Sequence, residues 1–227
     1  MQNLKILFED NHLIAVEKPK NVPTQSDSSE DPDLFTMVKR YIKEKYDKQG
    51  NVYLGLLHRL DRPVGGIIVF AKTSKAAARI STQIQNREFK KTYLAVVEGE
   101  VEKSSATLKD YLFKDKNLNM VRVVGKNHKE AKDAELSYRL LDSTNNLSLL
   151  AINLKTGRSH QIRVQLSNIH HPIWGDHKYG DDTSVKTNNI ALWAYKVELK
   201  HPITNELISI KLNPPKEIPW NFFDINR

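Results

Sequence analysis

The sequence contains no cysteine, and this absence excludes several kinds of site at once. Without thiols the chain has no disulfide, no thiolate zinc site, no iron–sulfur cluster and no cysteine nucleophile. Long apolar runs are also missing, since none approaches the roughly 18 residues that a membrane-spanning helix needs. Residues 1–5 lack the apolar stretch of a signal peptide. We therefore expect a cytoplasmic protein that does not associate with a membrane.

Acidic residues are fewer than basic ones. The 227 residues include 35 Lys and Arg against 27 Asp and Glu, a formal net charge of +8. This excess favours a polyanionic partner. The chain is long enough to bury a hydrophobic core without cross-links. We find no internal repeat, and the acidic segment 26–33 lies too near the start to separate two domains. We expect a single domain over residues 1–227, acting as a monomer.

Hydrophobic periodicity predicts an α+β fold with a mixed, largely antiparallel sheet and flanking helices. Apolar residues at i, i+4 spacing indicate amphipathic helices, and the unbroken apolar run at 67–71 is typical of a buried central strand. The second half alternates with period two, which indicates half-buried antiparallel strands. The helix that follows the central strand is expected to have Ser74 as its N-cap. The predicted elements are helices at 34–46, 74–86 and 160–168 and strands at 5–9, 13–18, 67–71, 136–140, 149–154, 193–199 and 208–212.

The densest polar cluster is His-Arg-Leu-Asp-Arg-Pro at residues 58–63, just before the predicted central strand. Asp61 is flanked by Arg59 and Arg62, and a carboxylate beside cations stays ionised, as a nucleophile or base must. The following proline and two glycines allow a tight turn and the close approach of another molecule's backbone. The alternative is an ordinary surface salt-bridge cluster at the start of a strand.

A second cluster, Thr-Gly-Arg-Ser-His-Gln-Ile-Arg at residues 156–163, joins a strand to a helix N-terminus. Free backbone N–H groups at such a terminus attract anions. Arg163 lies one turn from Ser159 and His160, so these groups can share one face. The alternative is a capped helix start with solvated arginines. Tyr93, between lysines on a predicted strand, is either a core residue or a functional one.

A third group, His170, His171, Asp176 and His177, contains common metal ligands. Its spacing matches no known metal-site pattern, and the proline and glycines within it are typical of a turn-rich loop. It leaves a metal-dependent hydrolase as an alternative function.

Taken together, these segments resemble the RluA-type RNA pseudouridine synthases. The resemblance rests on five segments in the family's order: Glu-Lys-Pro at 17–19, His-Arg-Leu-Asp at 58–61, Lys-Thr-Tyr at 91–93, Gly-Arg-Ser-His-Gln-Ile-Arg at 157–163 and Gly-Asp-His-Lys-Tyr-Gly at 175–180. Two departures stand out. Residues 64–66 read Val-Gly-Gly where relatives have Ser in the middle position, and residues 21–25 read Asn-Val-Pro-Thr-Gln where relatives more often show Gly and a His.

The resemblance implies an isomerase that converts uridine in structured rRNA or tRNA to pseudouridine, without metal or cofactor, in a central cleft. It implies that Asp61 is the catalytic aspartate, that Arg163 pairs with it, and that Tyr93 packs on the target base and takes the C5 proton. Arg59 fills the space left by the flipped nucleotide. The expected substrate contacts are Lys18, His58, Arg59, Arg62, Arg158, His160 and Gln161.

Two further expectations follow from this resemblance. No accessory RNA-binding domain of the S4 type precedes the catalytic one, because the first catalytic strand begins near Leu4. A non-catalytic RNA-binding protein on the same fold would be expected to lack the aspartate, and Asp61 is present.

Overall fold

The computed structural model describes residues 4–27, 29, 31–180, 184, 187 and 189–225. The strands are β1 (Ile6–Glu9), β2 (Leu13–Lys18), β3 (Gly55–Leu56), β4 (Gly65–Ala71), β5 (Lys90–Glu98), β6 (Ser105–Asp115), β7 (Met120–Val124), β8 (Lys132–Thr144), β9 (Leu147–Leu154), β10 (Leu192–Lys200) and β11 (Leu207–Lys211). The helices are α1 (Leu34–Lys45), α2 (Ser74–Gln85), α3 (Gln161–Asn168) and a 3₁₀ turn at Trp220–Phe222.

The chain divides into two compact units. The first comprises Met1–Lys91 and Ala194–Asn213, and the second comprises Thr92–Trp193 and Pro214–Arg227. Most of β10 therefore belongs to the first unit and most of β5 to the second. The Asp61 segment lies in the first unit, and Tyr93 and Arg163 lie in the second.

The first unit is a sheet covered by helices on both faces. Its strand order is β1-β2-β4-β10, with β3 paired to β4 and β11 to β10. Alternate residues of β4 enter two separate cores: Ile67 and Val69 pack with α2, whereas Ile68 and Phe70 pack with α1. Covering both faces explains why this strand is an unbroken apolar run. The buried central strand expected from the sequence is confirmed.

The helix ends of the first unit follow capping chemistry. Asp33 caps α1 by accepting a hydrogen bond from the Thr36 backbone N–H at 2.9 Å. For α2 the prediction of Ser74 as N-cap is wrong by one residue. The Thr73 hydroxyl accepts from the Ala76 N–H instead, and Ser74 is the first helical residue. Serine and threonine are both good caps, so adjacent candidates cannot be separated by type alone.

The second unit is an antiparallel sheet in the order β5-β9-β8-β6-β7. Helix α3 contributes Val164 to a core with Leu112 of β6 and Val121 of β7. Mostly antiparallel strands with few helices agree with the α+β class expected from the sequence. No helix among the described residues is long and apolar enough to cross a membrane.

Candidate active site

The Asp61 segment forms a tight turn immediately before β4. The Asp61 carbonyl accepts a hydrogen bond from the Val64 N–H at 3.0 Å, which closes the turn. Gly66 then has φ of +116°, and a Cβ there would lie 2.4 Å from the Ala194 carbonyl oxygen. The backbone that approaches Gly66 is this chain's own. The close approach of another molecule's backbone to this turn stays a prediction.

Lys18 stabilises this turn through hydrogen bonds to backbone carbonyls. Its ammonium donates to the carbonyls of Pro19 at 3.0 Å, Val22 at 2.6 Å and Arg62 at 2.9 Å, which uses all three protons. The residue is 0% exposed. Burial lowers the pKa of Lys18 to about 7, and the negative charge of Asp61 opposes that shift. The expected substrate contact does not fit this burial, and Lys18 instead holds the chain next to Asp61.

Thr24 holds the other side of the same turn. Its hydroxyl donates to the Leu60 carbonyl at 2.9 Å and accepts from the Leu60 N–H at 3.2 Å. Sequence analysis did not single out Thr24, although it identified the segment 21–25 as a departure from the family pattern. The only sequence signal for this role is a threonine in the loop after the Lys-Pro motif. Its partner, Leu60, is 36 residues away, so the sequence does not indicate the pairing.

His58 anchors the start of the segment. Its Nε2 accepts the backbone N–H of Val69 at 3.1 Å, and its ring lies 5.4 Å from that of Phe89. Burial holds the pKa of the His58 imidazole well below its usual value, and the nearby Lys91 charge lowers it further. The imidazole is therefore neutral and takes part in the fold. The resemblance implies a substrate contact for His58, and such a contact made through Nε2 would require this bond to break.

The two arginines beside Asp61 differ. Arg59 is exposed and has no ionic or hydrogen-bond partner among the described residues. Arg62 instead binds the acidic segment: it donates to the Ser29 hydroxyl at 2.8 Å, forms an ion pair with Asp31 and lies 3.6 Å from Asp27. Residues 28 and 30 of that segment lie outside the described residues. A ligand phosphate would compete with these carboxylates for Arg62.

In the second unit, Tyr93 lies on β5 opposite Ile152 of β9 and is 5% exposed. Arg163 lies on α3 and binds Asp176 through two bonds, Nε to Oδ2 at 2.7 Å and Nη2 to Oδ1 at 2.6 Å. Its guanidinium also lies 5.0 Å from the centre of the Tyr179 ring. Such a two-pronged pair, almost fully buried, fixes the orientation of the guanidinium.

The remaining expected substrate contacts of this unit bind one another or other residues of the same unit. Gln161, 2% exposed, accepts from the Arg158 N–H at 3.0 Å and the Thr156 hydroxyl at 2.8 Å. Arg158 donates to the Asp133 carboxylate at 2.8 Å. His160, with φ of +50°, lies 2.6 Å from the Tyr179 hydroxyl through Nδ1. These contacts shape the turn that leads into Arg163.

The histidine group expected as an alternative metal site is dispersed. Asp176 is held by Arg163, His171 contacts the Glu98 carbonyl at 3.0 Å, and His177 contacts the Thr187 carbonyl. Across the described part of the chain, no group of three or more His, Cys, Asp or Glu side chains is arranged to hold a metal ion. Nothing in this geometry supports the hydrolase alternative.

Exposed cations lie elsewhere on both units. In the second unit, the loop between β7 and β8 and its flanks expose Arg122, Lys126, Lys129 and Lys132. In the first unit, Arg87 and Lys90 are exposed. Lys91 is more enclosed, and burial lowers its pKa.

Comparisons of this chain with known proteins match a single family of RNA-modifying enzymes. The profile of the family described as RNA pseudouridylate synthase matches residues 12–168. The chain is 36% identical over 208 residues to the "Uncharacterized RNA pseudouridine synthase YhcT" of Bacillus subtilis, covering 90% of this chain and 67% of that protein. It is 33% identical over 213 residues to "Ribosomal large subunit pseudouridine synthase D" of Nitrosomonas europaea, of which it covers 60%.

Two further matches extend this comparison. The chain is 29% identical over 226 residues to "tRNA pseudouridine synthase C" of Vibrio cholerae, covering 92% of this chain and 90% of that protein. Among solved structures, "Human RNA Pseudouridylate Synthase Domain Containing 4" superposes with a TM-score of 0.78 at 22% identity, covering 93% of this chain and 89% of that one. At that identity the superposition establishes a shared fold.

Proposed function

Because the chain belongs to the RNA pseudouridylate synthase family, we propose that it isomerises specific uridines in RNA to pseudouridine, with Asp61 as the catalytic carboxylate. The observation that carries this proposal is the extent of the family match. Residues 12–168 include Lys18, the Asp61 turn, Tyr93 and helix α3 with Arg163. The RluA-type resemblance noted in the sequence is thereby confirmed at the level of the family.

The reaction rearranges bonds within one nucleotide. The N1–C1′ bond breaks, the uracil turns, a C5–C1′ bond forms, and the proton lost from C5 is balanced by one gained at N1. A carboxylate assists by adding to C1′ or to C6, or by stabilising positive charge on the sugar. All three routes need Asp61 ionised and held still.

Arg59 is suited to the step that exposes the target base. A stacked uracil cannot be reached, so it must leave the stack at a cost of about a few kcal/mol. Arg59 is exposed and has no hydrogen-bond or ionic partner among the described residues. A planar guanidinium can enter the vacated space and stack on neighbouring bases. We assign Arg59 this role.

Arg163 and Tyr93 complete the proposed catalytic group. The family resemblance assigns Arg163 as the basic partner of Asp61, and its fixed orientation on Asp176 suits that role. A nearby cation keeps a carboxylate ionised where desolvation would favour its protonation. Tyr93 would pack on the flipped uracil and take the C5 proton.

The proposed substrate is structured RNA, either rRNA or tRNA, because relatives are named for the ribosomal large subunit and for tRNA. The net charge of +8 and the exposed cations of the β7–β8 region suit a phosphate backbone. We further propose that the protein acts as a monomer in the cytoplasm.

The test is a pseudouridine map of cellular RNA from cells with and without the gene. We expect one or a few sites to disappear on deletion and to return with the wild-type gene but not with Asp61→Asn. Asp47→Asn, an equal loss of charge at an exposed residue of the same unit, is the matched control and should restore the sites. An identical map with and without the gene would contradict the activity. Full restoration by Asp61→Asn would contradict the assignment of Asp61.

A further inference from the structure

We propose that Thr24 is a positioning residue for the pseudouridine reaction, because its hydroxyl forms hydrogen bonds to the backbone of Leu60. This inference rests on the proposed function, since it matters only if Asp61 is catalytic. The Thr24 hydroxyl bonds both the carbonyl of Leu60, at 2.9 Å, and its N–H, at 3.2 Å. It thus meets both backbone groups of the residue directly before Asp61, as a neighbouring strand would.

Thr24 is itself held firmly. The N–H groups of Leu34 and Phe35, at the start of α1, donate to the carbonyls of Pro23 at 2.9 Å and Thr24 at 3.0 Å. These are N–H groups that have no partner within a helix. Helix α1 is anchored in turn by Leu34, Val38 and Ile42, each at most 1% exposed. The position of the Thr24 hydroxyl is therefore set by a packed helix.

Asp61 is then fixed from both sides by one short stretch of chain. Thr24 holds the residue before it, and Lys18 holds the Arg62 carbonyl after it at 2.9 Å. The peptide bond is planar and the Cα–Cα distance is constant, so a shift of Leu60 moves Asp61 with it. Misplacing a reacting group by about 1 Å costs up to about 100-fold in rate.

The hydroxyl, and not the bulk of Thr24, carries this effect. Valine has nearly the same shape but neither donates nor accepts, so Thr24→Val leaves the buried N–H and carbonyl of Leu60 without that partner. Buried backbone groups seek new partners because leaving them unpaired is costly. The turn would therefore shift. Serine keeps the hydroxyl and loses only a methyl group.

The experiment compares Thr24→Val, Thr24→Ser and Thr73→Val with wild type. Thr73→Val is the matched control, because it removes the hydroxyl that caps α2 and leaves the Asp61 turn untouched. For each protein we would measure the single-turnover rate of pseudouridine formation, the RNA affinity and the melting temperature, with rates taken well below melting. We expect Thr24→Val to slow the rate by about 10- to 100-fold with RNA affinity little changed. Thr24→Ser and Thr73→Val should stay close to the wild-type rate.

Three results would overturn the inference: a wild-type rate for Thr24→Val, an equal loss in Thr24→Ser, or a loss in Thr73→Val that tracks its melting temperature in the same way. If Thr24→Val does not fold, Thr24→Ala removes the same hydroxyl with less crowding and decides the question by the same criteria. Wild type is the internal reference. If wild type forms no pseudouridine, the proposed function fails and this inference with it; active wild type with an equally active hydroxyl-free variant overturns this inference alone.

Discussion

Replacing Gly66 with alanine tests the backbone approach that follows the Asp61 turn. The added Cβ would lie 2.4 Å, 2.6 Å and 2.8 Å from the carbonyl oxygen, nitrogen and carbonyl carbon of Ala194. All three are backbone atoms, so no side chain can rotate away, and β4 must separate from β10. Overpacking costs about 1–3 kcal/mol. The residue also has φ of +116°, a conformation that costs a non-glycine residue about 1–3 kcal/mol.

Together these effects predict a loss of roughly 2–6 kcal/mol in the free energy of unfolding. For a chain of this size the melting temperature falls by about 2–4 °C for each kcal/mol. Calorimetry of Gly66→Ala should therefore show a fall of at least about 4 °C. Gly125→Ala is the matched control, because a Cβ there meets nothing within 4 Å. A Gly66→Ala melting temperature no lower than that of the control would refute the reasoning.

Three other predictions concern the proposed reaction. Tyr93→Phe keeps the ring, so RNA affinity should hold because stacking is worth about 1–3 kcal/mol per base, while loss of the hydroxyl slows proton removal by about 10²–10⁴. Single-turnover assays should show a cleaved glycosidic bond without product release, and wild-type turnover would remove Tyr93 from the catalytic group. Replacing Lys126, Lys129 and Lys132 together by alanine should flatten the slope of log affinity against log salt by about 0.7 per lost single-strand phosphate contact or 0.9 per duplex contact; an unchanged slope would show that these lysines are only solvated. Activity should survive chelation and dialysis, whereas a loss restored by one divalent ion would reveal a metal requirement.

Elements with strong periodicity were predictable from sequence. The helix expected at 34–46 is α1, Leu34–Lys45, because its apolar residues repeat at helical spacing and meet a single core. The hairpin of β6 and β7 was not predicted as strands. Most of its residues are only partly buried, so the alternation of apolar and polar residues is weak.

The candidate site was predictable as a set of residue types but not as a set of contacts. The family resemblance implied that Lys18 and His58 contact the substrate. Their hydrogen bonds run to Arg62, 44 residues from Lys18, and to Val69, 11 residues from His58. These partners are backbone groups, which every residue carries. Residue types in the sequence therefore cannot predict which of them will accept or donate these hydrogen bonds.

The bond between His58 and Val69 has a consequence for where the sheet stops. Strand β3 pairs Gly55 with Ala71 and Leu56 with Phe70, and the same register would next pair Leu57 with Val69. The imidazole takes the Val69 N–H instead. An aliphatic residue at position 58 would leave that N–H without this acceptor. The histidine side chain therefore occupies the backbone donor next in line on β4 at the point where the pairing with β3 ends, a few residues before the turn at Asp61.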